Sequence, residues 1–348
     1  MFTVKAKALV SKLPELCSLI AEIISNSKFE ERSRILSLIR EQKSRMEGII
    51  FNSGNSIASL RVLSYITSKG VYDERTKGLT YYKFLCHIEK NYDEMYPQII
   101  EALVAVSKKI FNAENLTVSY TSEAENFIDL EKNISSILNI LTTEAQAKVP
   151  LILKPVKSNE GLETEAKVLY VAKAFNYKSL GYQYNGALRV IENILTLDYL
   201  WNRVRVIGGA YGVSVNVLKD GNVYVSSYRD PKLSETINAY DKIGDYLRNI
   251  DCGEREITKY ILGTISKLDF PLTPSMIADI SDARYLAGIT YEELQKERND
   301  ILSLDREKLK NYSDLFIKGM AENYLSVLGN QEKIKNNRDK FMNIISVF

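Results

Sequence analysis

The chain has 348 residues, of which 45% are hydrophobic and 26% charged, with a formal net charge of +2. This is a globular composition, long enough for about two domains of roughly 150 residues each. The near-neutral charge gives no electrostatic case for nucleic acid or an anionic membrane surface, and no stretch reaches the roughly 18 unbroken apolar residues of a membrane span.

In chain order, "FTVKAKAL" (2–9) alternates apolar and polar residues and predicts a half-buried strand. Leu13, Leu16, Ile20, Ile23 and Ile24 then recur at helical spacing. A second helix is expected over 28–50, with Ile35, Leu38, Ile39, Met46 and Ile49 as its buried stripe. "NSGNS" (52–56) breaks the pattern, and further helix follows through "SIASLRVLSYI", "YYKFLCHIEK" and "MYPQIIEALVAVSKKIF". "NLTVSYTS" (115–122) reads as a strand and 128–141 as a helix. Residues 142–165 lose periodicity and hold Pro150, Pro155 and Gly161, so an interdomain linker is expected there, between domains at 1–141 and 166–348.

The second part opens with a strand, "AKVLYVAKAF" (166–175), and a helix over 186–201 that aligns Leu188, Ile191, Leu195 and Tyr199. Two strands flank "KDG" (219–221), where Asp220-Gly221 predicts a tight type I′ hairpin. A helix is expected over 230–250, with Asp230 as N-cap and Pro231 at its first position. Further helices are expected over roughly 253–267, 273–286, 290–300 and 308–321, the last leading into a strand at 323–328. The order strand, helix, break, helix occurs near the start and again over 223–268, a pattern that two copies of one α+β unit would produce.

Cys17, Cys86 and Cys252 are odd in number and far apart, which suits free thiols in a reducing, cytoplasmic setting. With His87 as the one histidine, the chain cannot build a histidine-based metal site, and the cysteines have no zinc-ligand spacing. Cys86 and His87 are neighbours on a predicted helix, so their side chains diverge and do not form a nucleophile–base pair. The N-terminal stretch has no long apolar core of the signal-peptide kind. "NRVRVIGGAYG" (202–212) stands out, because it places Arg203 and Arg205 ahead of a glycine pair and Tyr211 after it.

That stretch extends to "YLWNRVRVIGGAYGVSV" and is followed by "SSYRDPKLSETINAYDKIGDYL". Together with "FTVKAKALVSKLPE", "FEERSRILSLIREQKSRMEGIIFNSGNSIASLRVLSYIT", "NLTVSYT" and "SLGYQYNGALRVIENIL", it resembles the C-terminal half of the presequence-protease branch of the insulinase (pitrilysin-type) zinc metallopeptidases. The resemblance runs from about residue 2 to 340. It implies an α+β fold with mixed or antiparallel sheets packed against helices, in two related domains, the first of which would begin partway through. It further implies a partner N-terminal half that carries zinc on a His-x-x-Glu-His helix, and a chamber that closes around unstructured peptides. That motif is missing here, so no catalytic residue and no metal ligand is expected in this chain, and alone it should be inactive.

By the same resemblance, Arg205 and Tyr211 bind the substrate backbone near the scissile bond. Guanidinium offers several donors and a phenol can donate to a carbonyl or oxyanion. Gly208 and Gly209, with Gly212, would let the backbone turn sharply and an extended peptide approach. Tyr228, Arg229 and Asp230 read as a strand end and helix cap, and Asn185 with Gly186 as another cap. The other class of function consistent with the residues is a non-catalytic scaffold or binding subunit of the same fold. An unpaired edge at 2–9 would also predict self-association as a homodimer.

Overall fold

The computed structural model describes residues 2–144, 147 and 149–348. It divides into two compact units that are not consecutive in sequence: Met1–Glu41 with His87–Leu151 and Pro271–Thr290, and Gln42–Cys86 with Ile152–Phe270 and Tyr291–Phe348. A single cut at 142–165 therefore does not describe the packing; residues 145, 146 and 148 of that expected linker lie outside the described residues.

The larger unit is built on one mixed sheet. Its strands are β1 (Asn159–Thr164), β2 (Leu169–Asn176), β3 (Gly212–Val217), β4 (Asn222–Tyr228), β5 (Tyr324–Asn330) and β6 (Asn343–Ser346), in the order β3-β4-β2-β5-β1-β6. β1 runs parallel to both β5 and β6, and every other pairing is antiparallel. Every residue of β2 is buried, because helices cover both faces of the sheet. Successive side chains of a strand point to opposite faces. Tyr170 accordingly meets helix Gly54–Ser64, where a Cβ on Gly54 would lie 2.4 Å from its ring, and Phe175 meets Phe316 of helix Ser313–Ala321 edge to face at 5.7 Å. Lys173, on the Phe175 side, is buried and donates to Asp241. This is why residues 42–86 belong with the sheet: their helix supplies its second cover.

The structure corrects several sequence expectations. β1 lies inside the expected linker, and β6 has no forerunner in the sequence pattern. "NEGLET" has no strand-like apolar content, and its place is secured by ladders to both neighbours and by buried Glu160. The β3–β4 turn is not type I′. Gly221 has φ +107° while Asp220 stays in the negative-φ half, and Leu218 N–H donates to Asn222 O, which closes a three-residue loop. Asp230 is not the N-cap of the following helix, which begins at Ser234. It sits wholly buried in the turn before it, accepting from Lys232 N–H and Thr236 Oγ1. The helix expected over 186–201 is α-helical only from Ala187 to Ile194 and continues as a π-helix through Leu195–Val206.

The smaller unit contains helices Leu13–Asn26, Tyr92–Ile110, Phe127–Asn133, Ser135–Leu138 and Pro274–Ala287, with the first part of helix Arg32–Asn52. Residues 2–9 and 115–122 form no strand, contrary to their alternation. A strand needs a ladder partner for its backbone groups, and these segments are held by side chains instead: Phe2 meets Phe111 edge to face at 5.7 Å, and Lys5 pairs with Asp279. The strand edge that would drive dimerisation is thus absent from the described residues. Among them no helix is long and apolar enough to cross a membrane, and no group of His, Cys, Asp or Glu could hold a metal ion.

Candidate functional site

The stretch from Leu195 to Tyr228 forms a π-helix, a glycine corner and a hairpin, all within the sheet unit. A π-helix closes i→i−5 bonds, is rare, and occurs mostly at functional sites. Its last turn widens further: Ile207 N–H donates to Asn202 O, while Ala210 N–H reaches back to Val204 O. Gly208 and Gly209 make this corner sterically feasible. A Cβ on Gly208 would lie 2.3 Å from Val204 O, and Gly209 has φ +86° with Pro231 Cγ 3.3 Å from where its Cβ would be. Gly212 then starts β3, and Tyr211 N–H donates to Tyr228 O.

This backbone brings Arg205 and Tyr211 together. The Arg205 guanidinium lies 5.6 Å from the Tyr211 ring centroid and 4.0 Å from that of Trp201. Among the described residues Arg205 has no carboxylate or hydrogen-bond partner. Tyr211 is 66% exposed. Tyr228 meets it edge to face at 5.8 Å, and Tyr170 tilts against Tyr228 at 5.6 Å. The Tyr228 hydroxyl donates to Asn52 O and the Tyr170 hydroxyl to Phe51 O, so the aromatic row is fastened to the end of helix Arg32–Asn52. Burial pushes the Tyr170 hydroxyl above its ordinary value, so it remains a donor. Arg203 lies apart, on the Tyr199 side of the π-helix.

Arg229 has φ +50° and lies over the Tyr228 ring at 5.3 Å. Buried Asp230 behind it pins the turn; burial raises its carboxyl above the usual range, against the hydrogen bonds it accepts. These residues close the strand and support the corner, as the sequence indicates. Asn185 Oδ1 accepts from Ala187 N–H, as a helix-start residue does. Sequence pattern does not single out Trp201. Its relation to Arg205 is an i,i+4 contact across a helix end that periodicity places at 201, and the π-turn alone keeps both residues on one helix.

The arrangement is suited to binding rather than bond-making. It holds cationic and phenolic donors on a rigid backbone and no paired acid and base. The donor set of the chain, one histidine and three dispersed cysteines, does not fit a catalytic zinc ion.

Residues 159–329 match the family model described as the PreP C-terminal domain, and residues 1–88 match a second model, of a region associated with the same class of peptidases. Protein HypA of Clostridium perfringens is 45% identical over 98% of this chain and 35% of its own length. Presequence protease 1, chloroplastic/mitochondrial, of Arabidopsis thaliana is 30% identical over 89% of this chain and 29% of its own. The chain therefore spans about a third of the length of these curated relatives. In fold it is similar to the peptidase M16 inactive domain from Pseudomonas fluorescens (TM-score 0.57, 17% identity, covering 92% of this chain and 75% of that one). It is also similar to pitrilysin (TM-score 0.57, 15% identity, covering 91% and 33%).

Proposed function

This chain belongs to the insulinase-type (M16) peptidase family and corresponds to the C-terminal part of its presequence-protease members, and from that premise we propose that it is the non-zinc-binding half of a peptide-degrading enzyme. In this reading the catalytic zinc and its histidines belong to a partner N-terminal half. This half closes the chamber and holds unstructured peptides by their backbone, with no chemistry of its own. Three unpaired thiols favour a cytoplasmic setting.

The observation that carries the reading is Arg205, whose donors have no acceptor among the described residues although the guanidinium is seated between two aromatic rings. A fixed donor set without an internal partner is the preorganised form of a carbonyl- or oxyanion-binding group. Tyr211 adds an exposed phenol beside it, and Gly209 removes the Cβ that would obstruct an extended backbone.

The test is cleavage of a fluorogenic peptide by the longer polypeptide that contains this chain. Removing a charge-assisted hydrogen bond costs about 1.5–3 kcal/mol, so Arg205→Ala should lower kcat/KM by roughly 10- to 150-fold. Tyr211→Phe should lower it less, and this chain alone should not cleave. Unchanged rates in both variants would leave the scaffold or binding-subunit class as the better description.

A further inference from the structure

Arg205 has an unusual setting for an arginine on a protein surface. Surface guanidinium groups commonly pair with a carboxylate, and this chain uses that solution repeatedly, for example in Arg248–Asp314 and Arg306–Asp251. Arg205 instead lies against the face of indole, 4.0 Å from the Trp201 centroid, with Tyr211 on another side at 5.6 Å. The two modes differ in what they leave free. A carboxylate occupies the in-plane N–H edge, whereas a stacked ring holds the cation by its face and uses none of the five donors.

The π-helix makes the stack. Bonds of the i→i−5 kind bring residues four and five apart onto one side, so Leu197, Trp201, Arg205 and Val206 share a face. Three of these are exposed apolar side chains: Leu197 at 53%, Trp201 at 38% and Val206 at 64%. The face thus sets a cation with free donors among apolar groups, complementary to a peptide carbonyl flanked by an apolar side chain.

We propose that Trp201 is a positioning residue of this site, holding Arg205 by its indole face so that the guanidinium edge stays open to a backbone carbonyl that bears an apolar neighbour. The inference rests on the reading that Arg205 binds peptide. It adds which residue aims Arg205 and what kind of peptide segment the pair accepts.

Trp201 is the only tryptophan of the chain, so its fluorescence reports on this position alone. A fixed cation without a carboxylate partner raises the local concentration of anions. Iodide should therefore quench Trp201 about twofold more steeply in the wild-type chain than in Arg205→Gln, with acrylamide quenching equal in the two. Equal iodide slopes would mean that the stack does not form in solution, and the proposal falls.

The second measurement is anisotropy of a dye-labelled, unstructured 15-residue peptide rich in leucine and phenylalanine, titrated with this chain. Trp201→Ala should weaken binding about tenfold, and Trp201→Phe, which keeps a ring under the cation, should stay within about threefold of wild type. A peptide of the same length with serine at the apolar positions should bind more weakly to the wild type and lose its difference between wild type and Trp201→Ala. If Arg205→Ala weakens binding and Trp201→Ala does not, the positioning role is overturned and the peptide-binding reading stands. If the wild-type chain does not bind the apolar peptide, both fall.

Discussion

The hydroxyl of Tyr228 donates to the backbone carbonyl of Asn52 at 3.0 Å, a contact between residues 176 apart in sequence. It joins the end of β4 to the helix that ends at Asn52, and it does so directly beside the exposed ring of Tyr211. The site is thereby anchored to the larger unit's own core and does not depend on loop contacts. Tyr228→Phe keeps the ring stack and removes only the hydrogen bond. It should cost about 1 kcal/mol and lower Tm by roughly 2–4 °C. Differential scanning calorimetry checks this, and an unchanged Tm would show that solvent replaces the bond without loss.

The glycine corner makes a graded prediction. Gly209→Ala puts a side chain at φ +86° and should destabilise the chain by about 1–3 kcal/mol. Gly208→Ala drives a Cβ against the backbone oxygen of Val204 and should cost at least as much while unwinding the last π-turn. Gly212→Ala meets only Tyr228 Cβ at 3.8 Å, an ordinary contact, and should be tolerated. Urea midpoints rank the three, and a different order would contradict the corner geometry.

Arg61 lies between two buried carboxylates. Its Nε donates to Glu160 at 2.6 Å and its Nη1 to Glu74 at 3.2 Å, while Tyr65 donates to the same Glu160 oxygen at 2.6 Å. Removing one member of a buried ionic group strands the others in a poorly solvating interior. Arg61→Leu should therefore destabilise by about 3–5 kcal/mol in urea unfolding, well beyond Arg248→Leu, whose partner Asp314 is exposed. Equal losses in the two variants would show that the buried group is not acting as a unit.

Glu297 gives a pH dependence of defined sign. Burial pushes its carboxyl up, but hydrogen bonds from Lys219, Tyr184 and Arg189 outweigh this and hold it below its ordinary 4.5. A depressed folded-state value contributes stability that is fully present above the unfolded value and is lost as pH falls through the folded one. Glu297→Gln should therefore be less stable than wild type at neutral pH, and the gap should narrow as pH drops below about 4.5. A gap that stays constant from neutral pH to about pH 3 would show that Glu297 is not titrating in this range.

Local pattern is enough for β2, β3, β4 and β5, the helices that begin at Pro274 and Tyr291, and the association of Arg205 with Tyr211. In each case the determinants lie within a few residues: apolar runs or alternation for the strands, Thr273 and Pro274 at a helix start, and the glycine pair between arginine and tyrosine. It fails at β1, whose "NEGLET" becomes a strand through ladders to β5 and β6. It fails in the opposite sense at 2–9, where good alternation meets no partner strand.

Residue type and short spacing alone establish the family of this chain, its inability to build a histidine-based zinc site, and the identity of the arginine, glycines and tyrosine around one corner. Three other features come from packing: residues 42–86 cover the sheet, an α-helix becomes a π-helix at Leu195, and Trp201 lies under Arg205. The reason is physical. Burial and stacking depend on which surfaces meet across long sequence separations, and those meetings outweigh the small energies of local propensity.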